Sequence, residues 1–260
     1  MSASPGFSVE RRQVLLGVAG VVLLSGCAST ARTAKAAADT TGTQLRGESH
    51  TSPIPGPDEA RIPGTLRPEY YVHAGHKGIA LTIDDGPDPR YTPQVLAILE
   101  QHHISATFCM IGSSAKAHPA LVREVIARGH HIANHTWSHP DLVNLSAASV
   151  RDQILRAEEA VHTASGGYRP TVFRAPYGAW DQSLLALCER MKLRALDWSV
   201  DPRDWSRPGT SQIVDTVMRT TRTGSIILEH DGGGDRSQTV AALRVFLPRL
   251  LSEGYHFVQP

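Results

Sequence analysis

From residue 79 onward, short apolar runs alternate with longer stretches in which apolar positions return every three or four residues. The runs at 79–83, 106–111, 131–134, 172–175, 194–198, 225–228 and 256–258 have the length and composition of buried strands. The stretches between them, at 92–102, 119–128, 146–163, 181–192, 210–222 and 238–253, read as helices. The signals at their ends agree. Thr92 is placed to cap a helix with Pro93 at its first turn, and Gly129 follows the second helix as a stop. On the third, Val150, Ile154, Ala157 and Val161 fall on one face. Pro248 should kink or split the last. About seven β/α units in series predict an α/β fold, a parallel sheet with helices covering it. Closure into a barrel is compatible with this count, but a full eight-unit barrel takes about 250 residues and does not fit.

The N-terminal part follows another pattern. Glu10, Arg11 and Arg12 precede an apolar run over 14–24, too short for the roughly 20 residues that cross a bilayer and suited to a signal peptide over 1–26. Leu24-Ser-Gly-Cys27 resembles the lipobox of bacterial lipoproteins, which implies lipidation of Cys27, and Arg11-Arg12 resembles a twin-arginine export signal. Glu10 and Val14 depart from the usual residues of that signal. Residues 27–70 are rich in Ala, Thr, Gly and Pro and read as a tether. The remaining domain, 71–260, is ample for one core. The expected location is extracytoplasmic, lipid-anchored on the outer face of the membrane or secreted.

Composition narrows the partners. The chain is 41% hydrophobic and 20% charged, which excludes disorder throughout. Its 26 basic and 25 acidic side chains offer no excess charge for a phosphate backbone, so no nucleic-acid partner is expected. Removing 1–26 takes away Arg11, Arg12 and Glu10 and leaves the two signs balanced. Three cysteines are too few for a disulfide scaffold, and Cys109 and Cys188 read as buried thiols. Whether those two pair is left open.

Candidate chemistry collects where the strands end. Asp84 and Asp85 close the first, His135 the third, Arg174 to Tyr177 the fourth, Asp197 to Trp205 follow the fifth, and His230 ends the sixth. In β/α barrels that end carries the active site. His135 and His139, four apart, would share one side of a helical turn and could hold one metal ion with a carboxylate. Adjacent strand residues point opposite ways, so Asp84 and Asp85 need not share a task. Gly232 to Gly234 lacks the lysine and helix-start spacing of a phosphate loop and reads as a turn beside the cleft. Trp137, Trp180 and Trp198 could stack on sugars, with buried packing the default. His102, His103, His130 and His131 take no role.

Five segments in order, Thr82-Ile-Asp-Asp-Gly-Pro87, His135-Thr-Trp-Ser-His139, Arg174-Ala-Pro-Tyr177, Asp201-Pro-Arg-Asp-Trp205 and Ile226-Ile-Leu-Glu-His230, resemble the motifs of the polysaccharide deacetylases, carbohydrate esterase family 4 with its NodB homology domain. The resemblance covers about 75–260, with Ile83 where the family usually has Phe. It implies a distorted (β/α)7-type barrel and a divalent metal, usually zinc, with cobalt and others also accepted by such ligands. It implies Asp85, His135 and His139 as metal ligands, Asp84 as general base and His230 as general acid. Arg174 would orient Asp84 and Asp204 would hold His230. Tyr177 would give a backbone N–H to the oxyanion, and Trp205 and Leu228 would shape a slot for the acetyl methyl.

Three functions follow as expectations. One is N-deacetylation of a GlcNAc polymer, peptidoglycan first and chitin oligomers second. Another is O-deacetylation of xylan with the same site. The third is a wall-binding lipoprotein without turnover. A polysaccharide and, through the lipid, the membrane are the partners expected; no protein partner is implied.

Overall fold

A computed structural model of the chain describes Gly56 and residues 66–260. The signal peptide over 1–26, the lipidation site Cys27 and nearly all of the tether lie outside the described residues. Seven parallel strands alternate with helices: β1 (Gly78–Asp84), α1 (Thr92–Gln101), β2 (Thr107–Met110), α2 (Gly112–Ala117), α3 (Pro119–Ala127), β3 (His131–Asn134), α4 (Ala147–Ser165), β4 (Val172–Phe173), α5 (Gln182–Arg190), β5 (Arg194–Ala195), α6 (Thr210–Thr220), β6 (Ile226–His230), α7 (Ser237–Ser252) and β7 (His256–Phe257). The sheet runs β5-β4-β3-β2-β1-β6, and β7 pairs with the first two residues of β1 while β2 pairs with the last three. Single bridges join Glu69 to Leu196, Tyr71 to Ser225 and Val200 to Ile227. They link the chain after β5 to β6 and curl the sheet into the distorted (β/α)7-type barrel.

Strand alternation sorts the side chains. On β1, Ile79, Leu81 and Ile83 face the main apolar layer, which they form with Val95, Leu99, Ile213, Val217, Leu243 and Phe246 of the helices. Ala80 faces a smaller inner cluster with Leu196, Trp198, Ile226 and Leu228. Thr82 and Asp84 share that inner register. The inside of the barrel is therefore apolar near the strand starts and polar at their C-terminal ends.

Several elements differ from the sequence expectation. The strands β4, β5 and β7 are two residues long, and after β5 the chain continues through single bridges at Leu196 and Val200 rather than a ladder. Helix α2 was not expected: its sequence GSSAKA has no apolar periodicity, and it is seated by Gly112 against α4. A Cβ at Gly112 would lie 2.5 Å from the Ala157 Cα. Thr92 is not the cap but the first helical residue; its hydroxyl accepts from the Asp88 N–H and donates to Asp231. Pro248 does not split α7, which is anchored on both sides by buried Leu243, Phe246, Leu247 and Leu250. Pro68, within the stretch read as tether, is buried, and Glu69 already pairs with the barrel.

Candidate active site

The strand ends β1, β3 and β6 and the loops after β4 and β5 meet in one buried cluster. Asp84 is the last residue of β1 and keeps the inward register. Asp85 leaves the strand with φ 74°, a left-handed conformation that L residues adopt at a cost. Simple alternation would have turned Asp85 away from Asp84. The left-handed backbone brings both carboxylates to the same imidazole instead, with His135 Nε2 at 3.7 Å from Asp84 Oδ2 and 3.6 Å from Asp85 Oδ1.

The two histidines do not lie on a helical turn. His135 directly follows β3, and residues 136–139 form a bend with positive φ at Thr136 and His139. Side chains hold this bend. Asn134 Oδ1 accepts from the Thr136 N–H and Thr136 Oγ1 accepts from the His139 N–H. Gln153 of α4 accepts from the N–H groups of Trp137 and Ser138. His139 Nε2 then lies 3.4 Å from Asp85 Oδ1. The Tyr177 ring packs edge-on against His139, its centroid 4.6 Å away, and its hydroxyl donates to the His139 carbonyl.

One ligand atom from each of Asp85, His135 and His139 lies within 4.8 Å of the others. Two observations test whether these residues suit a cation. Asp85 Oδ1 is buried with no hydrogen-bond donor among the described residues. His135 Nδ1 hydrogen-bonds to the Arg174 carbonyl at 2.9 Å, which fixes its proton there and leaves the Nε2 lone pair toward Asp85. Burial lowers the His139 pKa to about 4, so its imidazole is neutral at neutral pH and able to ligate. Burial would raise Asp85, but His139, His230, His135 and Arg236 outweigh it and bring its carboxyl to about 2. One carboxylate and two imidazoles fit a divalent metal with open positions.

Two supporting pairs flank this cluster. Arg174 is fully buried, and its Nη1 donates to Asp84 Oδ1 and to Thr82 Oγ1, both at 2.7 Å. Nη2 donates to the Asp197 carbonyl. Burial opposes the charge of Arg174, but Asp84 more than compensates and keeps it ionised. Asp204 accepts from His230 Nδ1 at 2.7 Å, from the His230 N–H at 2.9 Å and from Thr239 Oγ1 at 2.6 Å. Burial opposes the imidazolium, yet Asp204, with Asp85 and Asp84 beyond, raises His230 to about 9. Its Nε2 remains the ring nitrogen able to give a proton into the site.

The remaining sequence candidates are placed as follows. Leu228 is buried in the inner cluster two residues before His230 on the same strand face. Trp205 lies in the short 3₁₀ turn Asp204–Ser206, with Arg203 over its ring and its carbonyl accepting from Arg236. Tyr177 has φ 62°, which turns the backbone after Arg174 back toward His139. The Gly232–Gly234 turn does border the site. A Cβ on Gly232 would collide with the Asp85 carbonyl, and one on Gly233 would lie 2.7 Å from Asp85 Oδ2. Trp180 donates its indole N–H to Asp197 Oδ2 and packs on Phe173, a structural place. Cys109 and Cys188 are free and buried. Sequence reading missed Asn134, Gln153, Thr239 and Arg236, whose polar atoms build the bend and the loop around the site; Asn134 alone adjoins a motif, and the others reach the site only through the fold. It also missed Glu229 and Asp231, both fully buried carboxyl groups next to His230.

Comparison with known proteins agrees with this geometry. A polysaccharide deacetylase family model matches residues 72–196. A chitooligosaccharide deacetylase of Bradyrhizobium is 43% identical over 201 residues, 73% of this chain and 92% of that protein. A peptidoglycan-N-acetylglucosamine deacetylase of Bacillus cereus is 43% identical over 191 residues, 73% of this chain and 89% of that protein. Among solved structures, the Bc1960 peptidoglycan N-acetylglucosamine deacetylase superposes with a TM-score of 0.70 at 35% identity, over 73% of this chain and 88% of that one. With relatives this similar along nearly their whole length, the chain belongs to the polysaccharide deacetylase family.

Proposed function

We propose that this chain is a zinc-dependent N-deacetylase of GlcNAc polymers, with peptidoglycan as its first substrate and chitin oligomers as its second. The carrying observation is the convergence of three units on one buried point: Asp85 with His135 and His139, Asp84 with Arg174, and His230 with Asp204. The named substrates of the relatives support the GlcNAc class. A cation held by Asp85, His135 and His139 supplies Lewis acidity at the acetamide carbonyl and at water.

The chain's own residues do the rest. Arg174 occupies Asp84 Oδ1 and so fixes the carboxylate as a base; Oδ2 takes a proton from the attacking water as its oxygen adds to the carbonyl carbon. The N–H of Tyr177 stabilises the oxyanion. His230, protonated at neutral pH by its contact with Asp204, gives the Nε2 proton to the leaving nitrogen as the C–N bond breaks. Acetate and a free amino sugar are the products. Trp205 and Leu228 border the acetyl methyl.

We also propose that Cys27 carries lipid and holds the enzyme outside the membrane, beside the wall. The lipobox-like Leu24-Ser-Gly-Cys27 supports this. A Cys27→Ser variant should move from the membrane fraction to the soluble one. For the activity, the test is acetate release from peptidoglycan, chitin oligomers and acetylxylan, with and without chelator. Release from GlcNAc polymers that chelator abolishes and zinc restores is the expected result. Release from acetylxylan alone overturns the substrate, and no release from any polymer overturns the enzyme.

A further inference from the structure

Arg236 has no part in the chemistry above, yet its one guanidinium joins two walls of the site. It is 4% exposed and stands at the start of α7, just beyond the Gly232–Gly234 turn. Its Nε donates to the Gly232 carbonyl at 2.6 Å, and its Nη1 donates to the Trp205 carbonyl at 3.3 Å. The first of these residues lies against the metal site: a Cβ at Gly232 would stand 2.2 Å from the Asp85 carbonyl oxygen. The second carries the ring assigned to the acetyl slot. A Cβ at Gly233 would lie 2.7 Å from Asp85 Oδ2 and 3.2 Å from Arg236 Nη2, so carboxylate and guanidinium meet at the same glycine.

The Trp205 turn is strained at both ends. Arg203 and Arg207, which bracket Asp204–Ser206, both have φ 57°, a left-handed backbone that such residues keep only where their surroundings impose it. The first turn of α7 supplies three restraints. Thr239 donates to Asp204 Oδ2, Gln238 Oε1 accepts from the Gly209 N–H at 2.8 Å, and Arg236 holds the Trp205 carbonyl. Of these three side chains, Arg236 is the one that also holds the Gly232 turn. A guanidinium is planar and presents its N–H donors in a rigid fork, so two carbonyls bound to it are fixed relative to each other.

We propose that Arg236 is a positioning residue that sets the width of the acetyl slot, by fixing the Trp205 wall relative to Asp85, and so selects acetyl over longer N-acyl groups. It touches no reacting atom and acts through the two carbonyls it holds. The acyl group lies between the walls that the fork joins. A methyl fits between them; each further methylene must push the Trp205 turn outward against the Arg236 hydrogen bonds. One extra methylene in a pocket of fixed size is worth about 10–200-fold in kcat/KM. A wall standing on a strained turn without the fork would yield, and the discrimination would go with it.

The proposal rests on deacetylation with Trp205 as a wall of the slot, and the experiment separates the two. Full-length, zinc-loaded enzyme is given N-acetyl- and N-propionyl-glucosamine oligomers of equal length, and the ratio of their kcat/KM values is read. That ratio does not depend on how much enzyme is folded or holds zinc, so a merely structural loss leaves it unmoved. Wild type should favour the acetyl oligomer by about tenfold or more; equal turnover overturns the proposal. Arg236→Met removes the fork and should cut the preference by about fivefold or more. Arg236→Lys keeps the charge on a flexible stem without the fork and should cut it as well, and this variant carries the test where Arg236→Met does not fold. A wild-type ratio in Arg236→Lys overturns the proposal. Trp205→Ala should also lower the preference. If Trp205→Ala lowers it and the Arg236 variants do not, Arg236 loses its role and the slot stands. A ratio unmoved in Trp205→Ala overturns Trp205 as the wall and the positioning role with it.

Discussion

Asp84 and Asp85 are adjacent in the chain, and among the described residues His135 is the one ion-pair contact they share. Arg174, itself held by Thr82, belongs to Asp84; His139 belongs to Asp85. Their variants should therefore fail differently. Asp84→Asn should lower kcat by about 10²–10⁴-fold while zinc content stays stoichiometric. Asp85→Ala should lose the metal itself, measured by elemental analysis after dialysis. His230 supplies a pH prediction. Its folded pKa, about 9, lies above the ordinary 6.5, so the stability it contributes is complete below pH 6.5 and is lost as pH rises through 9. Metal-free wild type should lose melting temperature across that window, and Asp204→Asn should be flatter there. The same variant should bring the alkaline limb of kcat/KM down toward the ordinary histidine range. At this scale the identities of the clustered side chains were legible, because each polar residue ends an apolar run. The conformation of Asp85 was not: a positive φ is imposed by the turn and by the approach of Gly232, neither of which local pattern encodes.

Elements carry these residues, and the closest fit is between loops. The Gly232–Gly234 turn approaches Asp85 so closely that only glycine is accommodated at 232. Gly232→Ala must push the β1–α1 loop aside, and zinc affinity should fall by about tenfold or more, read by competition with a chromogenic chelator. Gly112 seats α2 against α4, and its N–H donates to the Thr136 carbonyl of the bend from His135 to His139. Gly112→Ala should destabilise by about 1–3 kcal/mol in urea unfolding. The helices with strong apolar periodicity were readable from the chain, and α4 is capped by Ser146 and stopped by the left-handed Gly166. The bend from His135 to His139 was misread as a helical turn. Its shape comes from Asn134 and from Gln153, which is distant in sequence, rather than from i to i+4 hydrogen bonding. Glu229 was hidden for a related reason: within an apolar run, one carboxyl looks like an edge of the strand.

For the whole molecule, the metal site joins two elements that are separate in sequence, the ends of β1 and β3. A ligand that binds only this folded arrangement stabilises it by about 4.1 kcal/mol at a thousand times its Kd. Zinc should accordingly raise the melting temperature by about 10 °C over the chelated protein, and Asp85→Ala should show no such rise. The barrel was foreseen in outline from the count of β/α units, but where it closes was not. The closing contacts are single bridges, and one of their partners, Glu69, precedes the first strand. Its N–H donates to the Ala195 carbonyl, its carbonyl accepts from the Asp197 N–H, and its carboxylate pairs with Arg194. The stretch just ahead of β1 thus works as a clasp. Its loss has a cost that no inspection of the catalytic residues reveals. A fragment starting at Val72 would keep every proposed catalytic group and metal ligand yet present the bare margin of β5 to its neighbours. Such a margin recruits other chains, and that shortened protein should self-associate with rising concentration where the full-length one does not.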